Sequence, residues 1–184
     1  MIGWGGFGLP LLSLYSIDGT YRLGCRQFDM GVAMPIQTVA FYVSGAPFGK
    51  ERPRSTQING RSVVYTPKKT ADYERHIRQV AWAAMSKERI GITDKAVHMS
   101  IEAVFPIPAS WPQKRKLIAS MGGEKPKKKP DLSNIFKAIE DGCNGVVYED
   151  DAQICSFTAV KTYESETKRA GVYVTVAWSK PDTP

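Results

Sequence analysis

The residues with chemistry to offer are concentrated in one stretch, residues 125–154, which reads KPKKKPDLSNIFKAIEDGCNGVVYEDDAQI. After Pro130 the spacing predicts an amphipathic helix. At about 100° per residue, Leu132, Ile135, Phe136, Ile139 and Cys143 fall on one side as a core-facing stripe. Asn134, Lys137 and Asp141 gather on the opposite side, and Asp131 stands at the helix start. A carboxylate, an amide, an ammonium and a second carboxylate thus share one polar strip. Taken alone, that strip reads first as a solvated helix face with a capping aspartate.

The segment that follows tips the balance. Asn144-Gly145 is a turn signal, residues 146–148 read as a short strand, and Glu149, Asp150 and Asp151 come next. Three consecutive acids in a basic chain repel one another unless positive charge lies between them, and a divalent cation supplies it. Oxygen ligands suit Mg²⁺ or Mn²⁺, ions that keep several waters and bind phosphate at the same time. A plain acidic loop has the same sequence. Just upstream the sign reverses: Lys125, Lys127, Lys128 and Lys129 cluster around Pro126, and Lys114, Arg115 and Lys116 precede them. Basic surface beside a small carboxylate–metal site fits phosphodiester cleavage, with lysines holding the backbone while a metal activates water and stabilises the leaving oxygen.

The other reactive residue types point away from rival chemistries. Cys25, Cys143 and Cys155 are odd in number with no CxxC spacing, and His76 and His98 lack ligand-like spacing. A disulfide scaffold and a Cys/His zinc site are both disfavoured, and the cysteines read as reduced, intracellular thiols.

The surrounding elements must position this strip. Residues 38–44 read as a strand that runs into a Gly/Pro loop, residues 45–54, carrying Lys50, Arg52 and Arg54. Asn59-Gly60 signals a turn before a second short strand, residues 61–66. A helix over 70–89 carries Tyr73, Ile77, Val80, Ala81, Ala84 and Met85 at helical spacing. A third strand spans 97–105, a short basic helix 112–121, and residues 153–163 with 171–178 read as a closing antiparallel pair. The order predicts an α+β fold: a mixed, mainly antiparallel sheet with two main helices packed on one face. Residues 1–33 lack sustained periodicity and read as a poorly ordered extension or a non-native upstream start. The domain is then 34–178, with a frayed tail at 179–184.

With 184 residues, one domain with a real core is expected. No charged region precedes the apolar run at 9–12, which argues against a signal peptide, and no apolar run reaches the ~18–20 residues of a membrane helix. Lys and Arg outnumber Asp and Glu by 25 to 18, a net charge of +7 that favours a polyanionic partner without identifying one.

Residues 129–154, KPDLSNIFKAIEDGCNGVVYEDDAQI, resemble the signature of the RusA family of Holliday-junction resolvases. Its members often read Lys-Pro-Asp-x-Asp-Asn-x-x-Lys, then Asp-x-x-Asn-Gly, then Asp-Asp-x-Gln. The resemblance implies a Mg²⁺-dependent endonuclease, with Mn²⁺ as an alternative ion. It further implies a homodimer that cuts four-way DNA junctions by paired nicks in recombination and repair, in the cytoplasm of a bacterium or from a phage gene. It assigns metal binding to Asp131 and to the Asp150–Asp151 pair, with Asp151 the better ligand, and a catalytic role to Lys137 alongside Asp131 and Asp151. Asn134 and Asp141 match supporting positions that orient metal-bound waters.

One position departs from the pattern. Ser133 stands where the family usually has a second aspartate, which implies weaker metal binding or a narrower metal preference. The alternative function is therefore a branched-DNA-binding protein with weakened or lost cleavage. A basic structural protein whose acidic triplet is only a loop is the third reading. Lys50, Arg52 and Arg54, with Lys125, Lys127, Lys128 and Lys129, are the expected DNA contacts. Phe48 either wedges at the branch point or anchors its loop.

Overall fold

The computed structural model describes residues 36–180, so the expected extension at 1–33 and residues 181–184 of the expected tail lie outside the described residues. The chain runs β1 (Ile36–Ser44), β2 (Arg54–Ile58), β3 (Arg61–Tyr65), α1 (Lys68–Lys87), β4 (Val97–Phe105), α2 (Gln113–Ser120), α3 (Leu132–Cys143), β5 (Ile154–Tyr163) and β6 (Gly171–Ser179). Ser179 is thus the last residue of β6, opposite Ile36, and not part of a frayed end.

Alternating apolar residues make the main sheet. Val39, Phe41 and Val43 of β1, Val97, Met99 and Ile101 of β4, and Val172, Val174 and Val176 of β6 are all buried. They turn one face toward α1 and α3, whose Ile77, Ala81, Met85, Ile135, Ile139 and Cys143 complete the core. Each such aliphatic side chain contributes on the order of 1.5–3 kcal/mol by leaving water. The expected α+β class holds: three helices and a sheet in the order β1-β6-β4-β5, antiparallel except for the parallel β4–β5 pair.

Three local expectations are corrected. β5 and β6 do not pair; β4 lies between them, and β6 (GVYVTVAWS), buried on one face through Val172, Val174, Val176 and Trp178 and half-buried on the other, takes a central place. β5 has mixed polar residues and sits at the edge. Residues 146–148 form a turn, held by isolated bridges from Tyr148 to Thr93 and Asn144. Finally, β2 and β3 form a separate two-stranded ribbon instead of joining the main sheet.

Candidate active site

Helix α3 carries the strip of polar residues, and the core stripe fixes its orientation. Ile135, Phe136, Ala138, Ile139, Gly142 and Cys143 are buried, which leaves Ser133, Asn134 and Lys137 exposed and Asp141 partly so. Asp131 occupies the N-cap position, yet its side chain makes no capping hydrogen bond. The capping role that the sequence left open is therefore absent, and the carboxylate is exposed.

An open groove of about 640 Å³ lies at this end of α3, lined among others by Phe48, Arg52, Arg54, Lys129, Asp131 and Asn134. Its far wall is the loop between β1 and β2, drawn against α3 by a hydrogen bond from the Lys50 amide to the Asn134 carbonyl at 2.9 Å. The approach is close enough to require glycine, since a Cβ on Gly49 would lie 2.7 Å from Cβ of Pro130. Phe48 packs edge-to-face on Tyr73 of α1, with centroids 5.5 Å apart, which gives it the anchoring role. Burial pushes the Tyr73 phenol up to about 12.

Beside the groove, Lys161 of β5 donates from Nζ to the carbonyls of Lys128 at 2.7 Å and Pro130 at 2.9 Å, directly before Asp131. Sequence reasoning passed over Lys161. The signal was there: β5 alternation puts it on the helix-facing side with Phe157 and Ala159, an odd place for an ammonium. Lys125, Lys127, Lys128 and Lys129 are exposed beside the groove.

Lys50 also lines the groove, but its ammonium is taken up within the chain. It is hydrogen-bonded to Asp141 and lies 3.8 Å from Glu74 of α1, so it clamps the loop to both helices. The hydrogen bond to Asp141 holds the Lys50 ammonium above its usual range. Asp141 therefore pairs with Lys50 and not with Lys137, its i, i+4 neighbour on α3. Lys137 has no ion-pair partner among the described residues. Replacing Lys50 with Met is expected to lower unfolding stability by about 1–3 kcal/mol, less than a fully buried pair because each side chain is 31% exposed. The slope of junction affinity against salt should not change. A slope smaller by about 0.9 in urea-stable protein would mean that Lys50 touches phosphate after all.

The second acidic group lies past the other end of α3. Asp150 is held locally: it caps the short 3₁₀ turn at 151–153, accepting from the Ala152 amide at 2.8 Å, while Gln153 accepts from the Asp150 amide. Gln153 also ties this turn to the carbonyls of Thr93 and Lys95. Asp151 is left exposed. It stands near Glu140, whose carboxyl is pushed up by burial first and then by Asp151 and Asp141. Glu74 is likewise pushed up by burial and by Asp141.

These raised acids have a pH consequence. A carboxyl whose folded pKa exceeds its unfolded value of about 4.3 adds stability below that pH and loses it as the pH rises through the folded value. Glu140→Gln is therefore expected to melt close to wild type near pH 4 and above it at pH 7. A melting difference that stays constant across this range would show that Glu140 is not strained.

Asp131 stands at the start of α3, and Asp151 follows eight residues past its end, after the chain has turned back to bring Tyr148 onto the Glu140 carbonyl. Among the described residues no three Asp, Glu, His or Cys side chains converge on a cation position. Asp131, Ser133 and Asp151 are exposed oxygen donors of the kind a hard divalent ion takes.

Residues 44–177 match the family model described as endodeoxyribonuclease RusA. This chain belongs to the RusA family. It is similar also to a Bacillus subtilis (strain 168) protein called uncharacterized protein YqaN, 30% identical over 132 residues, which are 71% of this chain and 91% of that one. RusA proteins are endodeoxyribonucleases of Holliday junctions, so the chain is a nuclease by family and branched DNA its partner. The matched region contains the whole groove and both acidic ends of α3. No helix among the described residues is long and apolar enough to cross a membrane.

Proposed function

We propose that this RusA protein resolves four-way junctions by paired nicks as a homodimer that depends on Mg²⁺. The observation that carries the reading is the groove at the start of α3, where an uncapped Asp131 carboxylate shares the lining with Arg52, Lys129 and Arg54, the last 3.8 Å from Glu51. The exposed Lys125, Lys127 and Lys128 lie just upstream. Asp131 stands at the start of α3, and Asp151 opens the short turn that follows the helix. A two-fold axis that sets two α3 helices antiparallel brings Asp131 and Ser133 of one copy to Asp151 of the partner subunit. The hard oxygen donors would then hold one divalent ion per site, and Asp150, already committed to its cap, would not be a ligand. Such an ion supplies the charge that activates water and steadies the leaving oxygen.

The chain's own groups do the rest. Arg52, Arg54, Lys125, Lys127, Lys128 and Lys129 hold the phosphate backbone in the groove. Lys137 contributes a point charge, or a proton to the leaving oxygen, on the same strip. Asn134 orients the groove floor, and two symmetric sites give two cuts.

The test is a synthetic four-way junction incubated with Mg²⁺ or with EDTA. Wild type is expected to cut only with Mg²⁺, and Asp131→Asn to hold the junction while cutting on the order of 10²–10³-fold more slowly. Wild-type protein that grips the junction without cutting favours the binding-only alternative, to which Ser133 points. Equal affinity for junction and linear duplex would favour the basic structural protein.

A further inference from the structure

We propose that the β2–β3 ribbon is a duplex-binding arm, laid along the DNA that leads away from the branch point. The proposal rests on the junction-nuclease reading and adds a binding element to it. β2 pairs with β3 alone and the ribbon joins neither edge of the main sheet. All of β3 is exposed, and Val63, Val64 and Tyr65 show 40%, 69% and 45% of their surface to solvent. A two-stranded ribbon without a covering layer is marginal in water, so these side chains are suited to a surface that the described residues do not supply.

Charge selects that surface. From Arg54 to Lys69 the chain carries Arg54, Arg61, Lys68 and Lys69 and no acid. Lys68 and Lys69 open α1, whose first turn holds no acid, although a helix N-terminus favours negative charge. A polyanion nearby relieves that placement. A second copy of this chain does not, because its net charge is also positive, +7.

Dimensions agree with duplex DNA. Five residues per strand give a ribbon about 17 Å long, or about five base pairs, and the major groove admits a two-stranded ribbon. The ribbon is continuous with the groove, for its first residue, Arg54, lines the wall opposite Asp131. DNA held there for cleavage continues onto the ribbon.

The experiment uses the full chain, a four-way junction with long arms, and a linear duplex of the same sequence. Arg61→Ala is expected to reduce the salt slope of junction binding by about 0.9, and Lys68→Ala with Lys69→Ala by about twice that. A chain with residues 56–63 replaced by Gly-Gly is expected to shorten the hydroxyl-radical footprint on an arm by about five base pairs. If all three variants keep the wild-type slope and footprint while wild type binds and cuts the junction, the arm is wrong and the nuclease reading stands. If wild type itself neither prefers nor cuts the junction, both fall. If the shortened chain becomes monomeric where wild type is dimeric by light scattering, the ribbon is a protein interface and the proposal is overturned.

Discussion

Asp131→Asn protein mixed with Asp151→Asn protein is expected to nick a four-way junction that neither protein nicks alone. The reason is the placement of the acids: Asp131 starts α3, Asp151 lies eight residues past its end, and no metal-binding trio forms within the described residues. If each site takes Asp131 from one copy and Asp151 from the partner subunit, a mixed dimer contains one doubly damaged site and one intact site. Free exchange at equal concentration leaves roughly a quarter of all sites whole. The product should be a single nick, because the opposing strand faces the damaged site. Activity should rise with the time allowed for subunit exchange. Two chains with complete sites of their own would give no rescue at any ratio, and that result would remove the two-fold arrangement from the proposal.

The sequence made the position of α3 legible because its apolar stripe and polar strip are both periodic. Ile135, Phe136, Ile139 and Cys143 face the core as their spacing requires, and Ser133 and Lys137 face out. β1 and β4 were legible for the same reason, with period two in place of 3.6. What the sequence withheld is pairing at a distance. Alternation in β5 and β6 says that both are strands, but only burial on both faces of β6 distinguishes the central position from the edge. The site shows the same division. The acids could be found by type and motif, whereas the packing of β5 beside α3, with Phe157 stacked on Phe136 at 4.2 Å, could not. Lys50 was legible as a cation in a loop. Its partners, Asp141 and Glu74, lie on two different helices and nothing local announces them.

The α1–α3 contact that gathers those partners supplies the other large effect: Gly142→Ala is expected to destabilise the protein by roughly 1–3 kcal/mol. Two effects compete at this position. Alanine in place of a helical glycine normally gains about 1 kcal/mol of helix propensity. Here, however, a Cβ would lie 2.5 Å from Cγ2 and 2.6 Å from Cβ of Ile77, and 3.2 Å from the Glu74 carbonyl oxygen. A rotamer change at Ile77 can move Cγ2 but not Cβ, so the clash is relieved only by parting the two helices. Ile77, Ile139 and Cys143 are all fully buried at this contact, and parting it opens space in the core. The clash therefore outweighs the propensity. For a chain of this size each kcal/mol corresponds to about 2–4 °C in Tm. Ile77→Ala in the same chain should not restore the loss, since its Cβ remains and a cavity is added. The loop clamp should weaken in step, because Asp141 precedes Gly142 and Glu74 is one turn from Ile77, and junction cleavage should fall at temperatures where the fold persists. A Gly142→Ala protein that melts at or above wild type would show that α1 and α3 are not in the tight contact on which the Lys50 clamp depends.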